Sequence, residues 1–473
     1  LITTRQHTLS SNIEAALAEA NRLKRPVIVS LIKKIAPYDP LSFFAMGEKN
    51  YAGERFYWSS PDGLTTLAGL GNELVLQTDY PSKERFRHIE NGWKRFKKYV
   101  YGNHQGSNGT GPLLFGGFSF DPEKGQSETW SSFSSGSFFM PSMMLTKNKY
   151  EYSLTINKVV YPHESPRQCA VHFHKMERSV HRDGQHGAGK GQKQSECFLL
   201  EVASAEWLDA VKAATVSIKN KEIDKVVLAR EVQLSFKEEI DLYSTLDSLQ
   251  KEQDSCYIFA FENGSKCFIG ATPERLVKKE GGTVLSTCLA GSIRRGLTPS
   301  EDLDLQNELL NDEKNLIEHE IVVRMIRNSL KDLCERVYSP EKPVIFKTKN
   351  IQHLYTPVRG YMKKESSLLH LIEKFHPTPA LGGSPQQAAV EMIRDIEPMN
   401  RGWYAGPIGW IDSHDNGEFA VAIRSGLVDG KEAHLFAGCG IVEESDPAAE
   451  YQETQIKLKP MLSALGGNYH EQQ

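Results

Sequence analysis

Residues 402–412 read GWYAGPIGWID, 418–430 EFAVAIRSGLVDG and 431–442 KEAHLFAGCGIV, and this C-terminal stretch decides the fold. Short runs rich in β-branched and aromatic residues, broken by Gly and Asp, are the pattern of an antiparallel meander. A helix follows it. Asp446 stands at an N-cap position and Pro447 at the first helical position, where a missing N–H costs nothing, and apolar spacing carries the helix to about residue 464.

Working upstream, the same grammar recurs. CYIFAFENG (256–264), KCFIGATPERLVKK (266–279) and GGTVLSTCLAGSIRRG (281–296) predict strands with short turns, and DKVVLARE (224–231) predicts another. Helical spacing covers 206–219 and one long segment, about 301–332. KPVIFKTKNIQHLYTPVRGYM (342–362) is extended, and a Pro/Gly-rich loop precedes a helix within 375–398. Near the start, Ile13, Ala16, Leu17, Ala20 and Leu23 recur at helical period over 9–25. VIVSLI (27–32), FYWSS (56–60) and LTTLAGLG (64–71) then read as strands, and GPLLFGGFSFDPE (111–123) as strand, tight glycine turn and strand. An antiparallel sheet decorated with helices accounts for this order.

Four segments are expected. Residues 1–160 form a sheet-rich part of one compact unit, 161–200 an irregular His/Gly-rich loop, 204–464 a second ordered region and 465–473 a flexible tail. The loop holds His163, His172, His174, His181 and His186, whose spacing matches no firm zinc pattern. A net charge of -4 gives no general attraction for nucleic acid or an anionic membrane. Seven cysteines without a CxxC pair suit a reducing cytosol, and no apolar run reaches the length of a membrane span.

Several residues have the chemistry of a site. Glu450, Glu453 and Lys457 share one side of the last helix, as either a surface ion pair or part of an ion site. Glu318 sits beside Ile317, Ile321 and Val322 on another helix, and carboxylates from two helices suit a hard cation such as Mg2+. Lys225 enters an apolar strand, either as a base in a dry cleft or as a lysine with its head in water. Glu274 follows FIGATP, either as a proton donor of raised pKa or as a surface partner of Arg275. Arg424, flanked by apolar residues in AVAIRSG, suits a carboxylate clamp. The turns LAGSIRRG and FAGCGIV offer backbone N–H groups to an anion but match no nucleotide-binding pattern. A small acidic substrate fits this set.

The blocks DKVVLAR, FIGATPERL, CLAGSIRRG, NDEKNLIEHEIVV, HPTPALGGSP, GWYAGPIGWID, FAVAIRSG and AGCGIVEESDPAAEYQETQIKLKP occur in that order over about 204–464. Their order closely resembles the chorismate-binding enzyme family. LSFFAMGEKNYAGERFYWSS and GPLLFGGFSFDP, in the front part, are similar to its isochorismate-forming branch in menaquinone biosynthesis of Bacillus-like bacteria. The resemblance implies an α+β fold like that of anthranilate synthase component I, with large antiparallel sheets packed centrally and helices outside.

It further implies roles. Lys225 would activate water and Glu274 would protonate the departing hydroxyl, while Glu318 and Glu453 would hold Mg2+. Arg424, Gly438 and Gly440 would bind substrate carboxylates with Lys457 close by. His353 and His376 would border the pocket, and Ala290, Gly291 and Ser292 would line its other side. Lys225 then argues against anthranilate synthesis and Ala290 against the aminodeoxychorismate enzymes. The implied enzyme is a monomeric isomerase converting chorismate to isochorismate, with no ammonia and no glutaminase subunit. Salicylate synthase is the nearest rival.

Overall fold

A computed structural model of the protein describes residues 2–103, 107–183, 195–347 and 351–471. Two antiparallel sheets share one long strand. Gly136–Asn148 pairs along one edge with Thr65–Thr78, and along the other with Leu113–Phe118 and then Glu151–Val160. From Thr65–Thr78 the first sheet runs through Arg55–Ser59, Tyr257–Asn263, Lys266–Thr272, Ser425–Asp429 and Glu432–Ile441 to Lys225–Phe236. From Leu113–Phe118 the second runs through Pro407–Asp412, Gly417–Val421, Arg275–Glu280 and Thr283–Arg294 to Ile351–Met362.

Strands from the front and the back of the chain therefore interleave in both sheets. Aromatic rings fill the core: Phe56 stacks on Phe115 at 4.3 Å, and Phe261 on both Phe139 and Trp403 at 5.1 and 5.2 Å. Offset stacking of this kind adds to the area that the rings bury. Helices lie outside the sheets, so the architecture is α+β. All seven cysteines are free and buried. No helix among the described residues is long and apolar enough to cross a membrane.

Four local expectations are corrected. Residues 111–123 make no hairpin. Leu113–Phe118 is one strand, and Gly116 and Gly117 serve close approach: a β-carbon would meet Ser137 O at 2.0 Å and Pro407 O at 2.5 Å respectively. The expected loop over 161–200 contains the helix Pro166–Asp183 and the strand Ser195–Val202. Cys169, Phe173 and Val180 are buried on one face of that helix, which packs on the first helix and on Glu151–Val160. Residues 184–194, His186 among them, lie outside the described residues. The tail is not loose throughout, because Gly467–Glu471 pairs parallel with the Ser195–Val202 strand. The long segment near 301–332 is two helices, Pro299–Asn311 and Glu313–Leu333, because Asp312 caps the second by accepting from Asn315 N at 2.7 Å.

Candidate active site

Chain crossings between the two sheets build the site. Lys266–Thr272 belongs to the first sheet and Arg275–Glu280 to the second, so Glu274 lies at the crossing. Gly417–Val421 and Ser425–Asp429 make the reverse crossing at Ala422–Arg424. Backbone bonds lock the two crossings together: Val421 N donates to Glu274 O and Ala271 N to Arg424 O, both at 3.0 Å. Arg424 is thus not inside a strand, as its apolar neighbours suggested. It holds a left-handed φ of 50°, a conformation that costs a non-glycine residue on the order of 1 kcal/mol or more and is often found at functional sites.

Burial pushes the Glu274 carboxyl up to about 7, against the pull of Arg424 and Lys457, whose positive charges favour the carboxylate. Its neighbour Arg275 takes no part in this. That guanidinium donates through Nε to Tyr257 Oη at 2.5 Å and to Glu418 Oε1 at 3.0 Å, which removes the surface-pair reading of Glu274.

Lys225 opens its strand between two partners. Ser384 pairs with it on one edge, and Val227 pairs with Gly440 on the other. A β-carbon on Gly440 would stand 2.8 Å from Lys225 Cε and 3.2 Å from Nζ, so the lysine's end lies over that glycine. Lys457, on the helix Pro447–Leu465, donates to Gly438 O at 2.9 Å and pairs with Glu453 at 2.7 Å. Asp446 caps this helix by accepting from Ala449 N at 2.9 Å, as its position predicts. Glu450 turns instead to the Ser445 hydroxyl.

The opposite wall comes from the second sheet. Gly291 has φ of 80° at an irregularity between Leu289 and Ser292, and a β-carbon there would meet Asn315 Oδ1 at 3.0 Å. Ser292 Oγ and His353 Nδ1 share a 2.7 Å hydrogen bond. Burial and the nearby Arg424 charge lower the His353 imidazole to about 4, so it is neutral at physiological pH. The side chains of Ala290 and Glu318 lie outside the described residues, and Glu318's backbone belongs to the helix Glu313–Leu333.

That helix faces the sheet with a different set of residues than its apolar pattern suggests. Ile317 and Ile321 are exposed, while His319 and Val323 are buried. His319 joins Thr356 Oγ1 at 2.8 Å and Cys288 Sγ at 3.4 Å, an anchor with no signal in the sequence beyond a histidine at helical spacing.

His376 makes its polar contact with the front part of the chain, while its neighbours Phe375 and Thr378 line a cavity with Glu274. Its ring is buried, shares a 2.9 Å hydrogen bond with Phe120 O and is lowered to about 3 by burial and by the Arg85 charge. Among the described residues no group of three or more His, Cys, Asp or Glu is arranged to hold a metal ion.

The family described as "Chorismate binding enzyme" matches residues 14–466. The chain belongs to the chorismate-binding enzyme family. It is 48% identical over 99% of both chains to the isochorismate synthase MenF of Bacillus subtilis. It is 34% identical to the salicylate biosynthesis isochorismate synthase of Pseudomonas aeruginosa, over 98% of this chain and 95% of that one. The fold matches the menaquinone-specific isochorismate synthase MenF of Escherichia coli with a TM-score of 0.76, at 22% identity, over 96% of this chain and all of that one (100%).

Proposed function

We propose that this chorismate-binding enzyme is an isochorismate synthase that feeds menaquinone biosynthesis. The observation that carries the reading is the meeting of Glu274 with Arg424 at the two bonded crossings, where burial raises the Glu274 carboxyl to about 7. A general acid working near neutral pH needs its proton there.

In the proposed reaction, water adds at C2 of chorismate and gives its proton to Lys225. Glu274 donates a proton to the C4 hydroxyl, which leaves as water while the ring double bonds shift. The net change is an isomerisation. Arg424, with a charge that reaches both Glu274 and His353, suits a substrate carboxylate. The Gly438–Gly440 segment is flanked by the ends of Lys225, over Gly440, and Lys457, at Gly438 O, and its backbone would face that anion.

Mg2+ is part of the proposal, and Glu453 is a donor of suitable chemistry for it. Glu453 keeps about half of its side chain exposed (51%) and meets Lys457 through Oε1, and a carboxylate oxygen is a hard ligand suited to a hard cation. Glu453 with Glu318 would hold the ion. When bound, it supplies positive charge that offsets the substrate carboxylate.

The closeness to the Bacillus subtilis enzyme over the whole chain favours the menaquinone branch. Chorismate with Mg2+ and no ammonia should give an isomer of unchanged mass by chromatography with mass detection. Release of pyruvate with salicylate would replace this reading with salicylate synthesis, and anthranilate formation would refute it.

A further inference from the structure

One edge of the Lys225 strand is short of a partner. Gly383–Ser384 pairs with it there at Val226 and Lys225, and Ser195–Val202 takes up the same edge only from Glu231 onward. Val227 N still reaches Gly382 O at 2.9 Å, and from there to Glu231 no strand among the described residues pairs on this edge. Val227 O and Ala229 N, both buried, would be left without partners, at a cost typical of lost hydrogen bonds.

An ion pair fills the gap. Arg401 Nη2 donates to Val227 O at 2.6 Å, and Ala229 N donates to Glu397 Oε2 at 2.8 Å. The two side chains join each other through Arg401 Nε to Glu397 Oε1 at 2.8 Å and Nη2 to Oε2 at 2.7 Å. Arg401 Nη1 also donates to Leu381 O at 3.0 Å, at the start of the 381–384 segment that pairs with Lys225. The guanidinium therefore ties down the strand just after Lys225 and the segment beside it. Its own plane is fixed by the Phe120 ring, 4.2 Å away.

A buried ion pair is weak evidence for stability, because desolvation offsets its attraction. The side chains here are only 3% and 1% exposed. What the pair does supply is geometry: a forked donor and a two-oxygen acceptor at the spacing of a strand's own N–H and C=O groups. We infer that Glu397 and Arg401 are positioning residues for Lys225, bridging the gap between the two strands that share this edge and fixing where the lysine enters the site. The inference rests on the reading of Lys225 as the base.

The test uses the full-length enzyme with Mg2+. Arg401→Lys keeps the charge but loses the fork, and Glu397→Gln keeps an acceptor for Ala229 N. Both should lower kcat about tenfold or more, in line with the cost of misplacing a catalytic group, and leave KM for chorismate unchanged. In a Lys225→Ala background the same changes should cause no further loss, because they act through the lysine. Phe120→Leu, which removes only the ring beside the guanidinium, should give a smaller loss of the same kind and serves if the charged-pair variants fail to fold. Unchanged kcat per folded molecule, or equal losses in both backgrounds, would overturn the inference. A near-normal rate for Lys225→Ala alone would overturn the base assignment itself, and with it this inference.

Discussion

The end of the Lys225 side chain lies over Gly440, where a β-carbon would come within 2.8 Å of Cε and 3.2 Å of Nζ. The neighbour that would have to yield is the flexible end of a lysine rather than backbone. Gly440→Ala should therefore move the amine at little cost in stability. We expect kcat to fall by about 10²-fold, the scale for an ångström-sized misplacement, with the melting temperature nearly unchanged. Steady-state kinetics beside a thermal melt reads both, and a large melting loss with normal kcat would contradict it.

Glu274 must be protonated to act as the acid, and burial holds it at about 7. The rate should therefore fall as pH rises through about 7, and Glu274→Gln should lose about 10² to 10⁴-fold in kcat. A pH–rate profile flat through that region would remove the assignment.

The same group makes a stability prediction with a definite sign. Its folded value is raised from an ordinary 4.5 to about 7. Below 4.5 both states carry the proton and nothing is lost. Stability declines between the two values, and above 7 the full loss, at most about 3 kcal/mol, is present. Glu274→Gln should thus raise the melting temperature in mildly alkaline buffer and leave it unchanged near pH 4. Equal shifts at both pH values would count against it.

Arg424 keeps a left-handed backbone with a side chain that does not favour it. Arg424→Gly relieves that conformation and deletes the guanidinium. The variant should melt no lower than the parent while KM for chorismate rises roughly 10 to 10²-fold, the worth of a charged hydrogen bond. Unchanged KM would exclude the carboxylate role.

Mg2+ should raise the melting temperature of the parent by mass action. Glu453→Gln should weaken that shift while leaving the Lys457 bond to Gly438 O available. A full Mg2+ shift in the variant would place the ion elsewhere.

Local signals were legible where neighbours in the chain decide them. The Asp446–Pro447 helix start and most strands after 204 follow from caps, alternation and turns. The helix at Pro166–Asp183 is hard to read locally because its many histidines and charges hide the apolar face of Cys169, Phe173 and Val180. The Gly116–Gly117 pair is ambiguous for a different reason: glycine serves both turns and close packing, and only the facing carbonyls of Ser137 and Pro407 distinguish them.

The sequence by itself determined the antiparallel strands, the capped final helix and, through ordered motif blocks, membership of the chorismate-binding family. It named Lys225, Glu274, Arg424 and Lys457 as residues of suitable chemistry. Only the tertiary structure decided which of them meet. Glu274 and Arg424 come together because two separate crossings between the sheets are bonded to each other, and Lys225 is set by Gly440 from a strand more than two hundred residues away. His376 drew into the core beside Phe120. Such outcomes depend on long-range pairing and on burial, and burial is a property of the whole packed molecule that no local stretch carries.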